Sequence, residues 1–200
     1  MSYIGVQPRT RKNGSRVLIA SVEADSAVSE IEFLDGTNDV VMDSTFDIYE
    51  WHFVNIHAAT NSTFFGFQFN AAGGSGFNET MTTSHWKAEF NESGSGAAAN
   101  YTTSHDLAQA TTFQKLGYDL ENEADDNLSG VLTLYDASST TYSKNFIANI
   151  NYNHHSSKYT QNVWITGYVN TTSAIDEIRF AMDSGNIDYG IIHMYGVNHA

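Results

Sequence analysis

Apolar and aromatic residues recur at every second position through most of this chain, and that period of two constrains the fold more than any other feature. In the stretch TFDIYEWHFVNI, Phe46, Ile48, Glu50, His52, Val54 and Ile56 share one parity, and Tyr49, Trp51, Phe53 and Asn55 share the other. Both parities are largely apolar, so a central strand covered on both sides is expected. FFGFQFN places Phe65, Phe67 and Phe69 together. HWKAEF sets Trp86, Ala88 and Phe90 against His85, Lys87 and Glu89, which reads as a strand with its apolar side in and its polar side out. The pattern continues in SRVLIASV, SEIEFLDG, GVLTLYD, TYSKNFIANINYN, NVWITGYVN, IDEIRFAM and GIIHMYGVN. Nine or ten strands at this spacing, separated by Gly-, Asn- and Ser-rich turns, predict an all-β, antiparallel two-sheet sandwich of jelly-roll type. The one helical candidate, residues 105–116, contains Thr111, Thr112 and Phe113, so strand or loop fits it equally well.

Composition agrees. The aromatic share is 13%, which suits pleated, half-buried surfaces. Charged residues are only 16%, well below the roughly 25% of an average domain, and Ser, Thr, Asn and Gly take their place. The chain has no cysteine, which removes disulfides, thiol catalysis and thiolate metal sites together. A net charge of −14 argues against nucleic acid as a partner. No apolar run is long enough for a secretory signal or a membrane span, so membrane insertion is not expected.

The charge is unevenly placed. Residues 1–16 carry Arg9, Arg11, Lys12 and Arg16 with no Asp or Glu, while the remainder carries five cations against 23 carboxylates. The chain therefore divides into a basic N-terminal arm, residues 1–16, and a single acidic sandwich domain, residues 17–200. Gly5 and Pro8, the only proline, favour an extended arm that orders on an acidic groove.

Catalytic and metal motifs are weak. Glu50 and His52 are two apart on a strand and share a side, whereas His57 at an odd spacing is expected to point the other way. His154 and His155 fall in a turn. The run DLENEADDN brings Asp119, Glu121, Glu123, Asp125 and Asp126 close in sequence, but an EF-hand would need Gly at 124 and Glu at 130, where Ala124 and Gly130 stand. A looser calcium site completed by other loops is the alternative to a solvated loop. Ser104, His105 and Asp106 are adjacent, which does not give triad geometry. No other metal, cofactor or catalytic residue is expected. Trp51, Trp86 and Trp164 all lie on strands with apolar neighbours, so core packing is expected in preference to stacking on sugars.

Several ordered motifs resemble a known family. W-x-F-x-N-I-H at Trp51–His57, N-A-A-G-G-S-G-x-N-E-T at Asn70–Thr80, and N-T-T-S-A-I-D-x-I-x-F at Asn170–Phe180 are similar to a β-domain of tail-fibre-like and appendage proteins of marine tailed bacteriophages. S-G-N-I at Ser184–Ile187 and the closing Tyr195–Val197 extend the resemblance over about residues 46–198. The start MSYIG with Pro8 also resembles the openings of such proteins, with Val6 where Asn is usual. The resemblance implies a non-enzymatic virion structural protein on the outer surface of the particle, on tail or capsid, contributing to host attachment. It implies docking to other virion proteins through Tyr3, Ile4, Gly5, Pro8, Arg9, Arg11, Lys12 and Arg16. It also implies a homo-oligomer, by analogy a trimer, and a host surface glycan as partner. A capsid decoration protein is the alternative. A glycan depolymerase is a lesser one, and it would need carboxylates such as Asp125 or Asp126 to converge with Glu121 in a cleft.

Overall fold

A computed structural model describes residues 16–154 and 159–198. Twelve strands form within them: β1 Arg16–Ala24, β2 Glu30–Leu34, β3 Ile48–Ala58, β4 Thr63–Ala71, β5 Met81–Asn91, β6 Ala97–Tyr101, β7 Gln114–Leu120, β8 Leu128–Tyr135, β9 Lys144–His154, β10 Tyr159–Val169, β11 Ile175–Met182 and β12 Ile187–Val197. They make two antiparallel sheets, an eight-stranded one ordered β1-β12-β3-β8-β9-β10-β5-β6 and a four-stranded one ordered β2-β11-β4-β7. The chain passes repeatedly from one sheet to the other, as in a jelly roll, and the expected sandwich is observed. The arm residues Tyr3, Ile4, Gly5, Pro8, Arg9, Arg11 and Lys12, and also His155, lie outside the described residues. Arg16 opens β1, paired with Val197, so the last residue assigned to the arm belongs to the sheet.

Two strands escape the sequence pattern. β6, in AAANY, is built from small residues, and β7 occupies the end of the segment with helical features. That segment begins at the last residue of a 3-10 turn, Thr103–His105, and continues as an irregular stretch bridged by Ala110 to Met81.

The core lies between the small sheet and the middle of the large one. Phe180 of β11 is its hub, with ring centroids 5.2 Å from Phe53, 5.9 Å from Phe65, 6.2 Å from Phe33 and 6.3 Å from Trp51. Phe67 and Phe69 continue the cluster onto Phe146 of β9. The Phe33–Phe180, Phe53–Phe180 and Phe67–Phe146 pairs pack edge-on, setting a positive ring edge against a negative face, while Phe65 stacks on Phe180 with planes 20° apart. Lys144 shares the inward parity of Phe146 and is fully buried. Its ammonium donates to the carbonyls of Tyr142 and Thr171 at 3.0 and 3.3 Å and to that of Ser173, clasping two loops at the end of the sandwich. Burial lowers its pKa.

The small sheet does not cover the whole of the large one. β7 is its last strand over β9 and β10. Beyond it, residues 102–113, which are not a strand, run along the edge of β5 and roof its inner side with His105 and Leu107. Thr102 and Thr83 amides donate to the carbonyls of His85 and Leu107 at 2.8 and 2.9 Å. That roof determines the chemistry of the neighbouring outer face.

Candidate functional site

β5 reverses the expected sidedness. His85 is fully buried, and the side chains of Lys87 and Glu89 are 13% and 17% exposed. Trp86, at 42%, and Phe90, at 51%, face solvent. The cause is what packs on the inner side, the irregular residues 102–113 together with the polar Gln114 and Tyr118 of β7. A loop packed on a sheet brings backbone and side-chain polar groups that need hydrogen-bond partners, and aliphatic residues could not supply them. Thr83 Oγ1 donates to Gln114 Oε1 at 2.6 Å and accepts the Leu107 amide at 2.8 Å. Lys87 Nζ lies 2.7 Å from both the Tyr118 hydroxyl and Glu89, which together hold its pKa up against burial. The apolar parity of β5 is thereby turned outward.

Core packing holds for Trp51, which is fully buried, and fails for Trp86 and Trp164, each 42% exposed. These two are directly opposite on β5 and β10, with ring centroids 5.4 Å apart and planes inclined at 51°. Tyr101 of β6 is the next residue across, so Tyr101, Trp86 and Trp164 form one row along the hydrogen-bonding direction. The row continues through Asn149, Val131, His52 and His193 to Ser21 and so crosses all eight strands.

Around the two indoles the outward positions of β5, β9 and β10 carry no formal charge, and the nearest carboxylate at the edge is Asp106, which accepts from Tyr101. Outward positions are Thr82, Ser84, Ala88 and Phe90 on β5, Thr160, Asn162, Thr166 and Tyr168 on β10, and Asn145, Ile147, Asn149, Asn151 and Asn153 on β9. On a chain of net charge −14 this neutral, amide-rich half-face is distinctive. Its amides are fixed by the sheet itself. Asn149 Nδ2 donates to Asn162 Oδ1 at 3.1 Å, and Asn151 Nδ2 to Thr160 Oγ1 at 3.3 Å and to the Gln161 carbonyl at 3.0 Å. Trp164 Nε1 donates to Asn162 Oδ1. With these donors taken up by side chains and backbone of the neighbouring β10, the Oδ1 atoms of Asn149 and Asn151 are the acceptors left for a partner.

Tyr101 is also held. Its hydroxyl donates to Asp106 Oδ2 at 2.5 Å, and Asp106 Oδ1 accepts the His85 amide at 2.7 Å. The Ser104–His105–Asp106 run thus fastens the roof to β5 and steadies the edge of the aromatic row. Under it, the rings of His85 and His105 meet edge to face, with centroids 4.9 Å apart. Burial lowers both pKa values to about 4, helped for His105 by the neighbouring His85 and Lys115. Neither ring nitrogen of His85 has a hydrogen-bond partner.

The other half of the outer face is titratable. Glu50 Oε2 accepts from Arg16 Nε at 2.6 Å and lies 2.9 Å from His52 Nε2, so Glu50 and His52 do share a side. Burial works against the Glu50 charge, but the Arg16 and His52 contacts outweigh it and lower its pKa. His57 is a correction. A bulge at Val54–Asn55, with Asn55 at φ 52°, inserts one residue and turns His57 outward after all.

At the end of the sandwich near that bulge, a cavity of about 550 Å³ is lined by His57, Asn122, Asp125, Asp126, Asp188 and Tyr189, among others. His57 Nε2 lies 3.0 Å from the Glu123 carbonyl, and Nδ1 lies 3.4 Å from Asp188 Oδ2. The five acidic candidates of this region are dispersed. Asp119 sits in β7 at φ 55°. Glu121 and Asp126 are buried around a separate space of about 10 Å³, and Asn153 Nδ2 donates to Asp126. Only Asp125 and Asp126 line the larger cavity, so Glu121 does not join Asp125 there. Among the described residues, no three His, Asp or Glu side chains form a group able to hold a metal ion.

No family model matches the chain, and no curated protein or solved structure matches it. The sequence pattern assigns Trp86, Ala88, Phe90 and Trp164 to the core, and the structure places them outside. The usable signal was the run NFIANINYN, whose outward parity alternates amides with no charge at all.

Proposed function

We propose that this protein is a non-enzymatic structural component of a tailed-bacteriophage virion, displayed on the outside of the particle and contributing to host-surface attachment. The motif resemblance supports the virion setting. The observation that carries the attachment role is the neutral aromatic–amide half-face, which leaves two indoles exposed side by side on an otherwise acidic protein. Large exposed aromatics surrounded by polar groups mark interaction surfaces. The basic arm docks the domain to other virion proteins, and display in several copies multiplies weak contacts into firm attachment. The trimer remains an analogy with fibres of this kind.

Capsid decoration is the second reading, favoured by the polarity of the same broad face. Two measurements separate the readings. Virions lacking the protein should adsorb to host cells more slowly, and the purified chain should compete with intact virions for adsorption. Unchanged adsorption, with particles that break more readily, would instead select decoration. Removing residues 1–15 while keeping Arg16 in β1 should abolish incorporation into particles; incorporation at normal copy number would rule out docking by the arm.

A further inference from the structure

We propose that the row Tyr101–Trp86–Trp164, with the Asn149 and Asn151 carboxamides beside it, is a binding platform for an uncharged polysaccharide. The proposal rests on the attachment role for its biological setting and on the geometry for its chemistry. Trp86 and Trp164 are strand-opposed neighbours that expose ring surface, and Tyr101 extends them to the sheet edge. A sugar ring has one or two faces of C–H bonds carrying slight positive charge, which suit the negative face of an indole. Its hydroxyls need donors and acceptors at the same time. The Oδ1 atoms of Asn149 and Asn151 accept from such hydroxyls, and the hydroxyls of Ser84 and Thr166, 2.9 Å apart, both donate and accept.

The groups are also pre-set. The Asn162 Oδ1 bond to Trp164 and the Asp106 bond to Tyr101 restrain both rings before anything binds, so little side-chain entropy is lost on contact.

Other occupants fit less well. Nucleic acid also stacks on aromatics, but its backbone needs a cationic track, and the outward positions of β5, β9 and β10 hold no Lys or Arg. A sulfated or uronic polysaccharide meets the same lack of cations and the field of a −14 protein. A second copy of the chain would press the Asn and Thr field of one sheet against another, removing those polar groups from water.

The test uses the full chain against soluble neutral glucan, mannan and galactan, with a sulfated galactan for contrast, by affinity electrophoresis and calorimetry. At least one neutral polymer should bind, with little change as salt is raised, and the sulfated one should not. Trp86→Ala and Trp164→Ala should each weaken binding by about tenfold or more, as expected for central aromatic anchors, while their circular dichroism matches that of the parent. Asn151→Ala should weaken it less. Binding to none of the neutral polymers, binding indifferent to both Trp substitutions, or salt-sensitive binding of the sulfated polymer alone would overturn the proposal. So would a parent dimer that Trp164→Ala converts to monomer, which would assign the face to a second copy. If both Trp variants lose the neutral polymer yet virions carrying them adsorb normally, the platform stands and the attachment role fails. If adsorption depends on the protein but no neutral polymer binds, the attachment role stands and the platform fails.

Discussion

β3 and β5 lie in the same sheet, carry the same alternation, and place their tryptophans on opposite sides. In β3, Trp51 faces a regular sheet that has paired its own backbone, so the inner surface asks only for apolar volume, and the indole is fully buried against Phe180. In β5, the inner surface meets residues 102–113 and the polar side of β7: Thr83 bonds the Leu107 amide and Gln114, Lys87 reaches Tyr118, and the His85 ring packs edge-on against His105. Trp86 is left outside, next to Trp164. An alternating sequence specifies a strand and its two faces. The cover decides which face is the inside.

That contrast can be broken most severely on the β3 side. Phe180→Ala removes the ring shared by both sheets and should cost roughly 3–5 kcal/mol, read as a lower urea midpoint. Gly130→Ala, on β8 between β3 and β9, should be comparably harmful, because a methyl there would sit 2.4 Å from the Asn149 carbonyl oxygen.

On the β5 side the roof should be acid-sensitive. His85 and His105 have folded-state pKa values of about 4 against an ordinary 6.5. Above 6.5 both rings are neutral whether folded or unfolded, and their full contribution is present. As pH falls from 6.5 towards 4, the unfolded chain takes up protons that the folded one refuses, and stability is lost. The loss should reach about 2 kcal/mol for each ring at pH 5. Lys87 and Lys115 near the pair reinforce it, and Asp106 opposes it. His85→Phe should flatten the pH dependence of the urea midpoint. It should cost little stability at pH 7.5, because it removes ring nitrogens that have no partner.

Smaller effects belong to the surface. Trp86→Ala should lower stability by less than about 1 kcal/mol, since a large part of the ring is already in water. Arg16→Ala should cost at most about 1 kcal/mol, its partner Glu50 lying at the exposed face. Thermal melts of these two variants beside Phe180→Ala would sharpen the division between the two strands.

Much of the fold was legible because most strands present a long apolar parity, as in FFGFQFN and IDEIRFAM. β6 was hidden because Ala97, Ala98 and Ala99 give no alternation to read. β7 was hidden because Gln114, Gly117 and Tyr118 face a mixture of core and roof. His57 was misplaced because a bulge at Asn55 changes parity without leaving a Gly or Pro as a sign. The aromatic–amide face was hidden for a different reason. Trp next to apolar residues has the same pattern whether it is covered or not, and only the tertiary position of residues 102–113 and of β7 settles the matter.

Hydroxyl-radical footprinting of the three tryptophans by mass spectrometry tests the central claim most directly. In the free protein, Trp86 and Trp164 should oxidise rapidly, with Phe90 and Tyr101 close behind, while Trp51 stays protected; a neutral polysaccharide that binds should then shield Trp86 and Trp164 together. Protection of Trp86 equal to that of Trp51 in the free protein would contradict the outward sidedness of β5 and remove the face on which the attachment role depends.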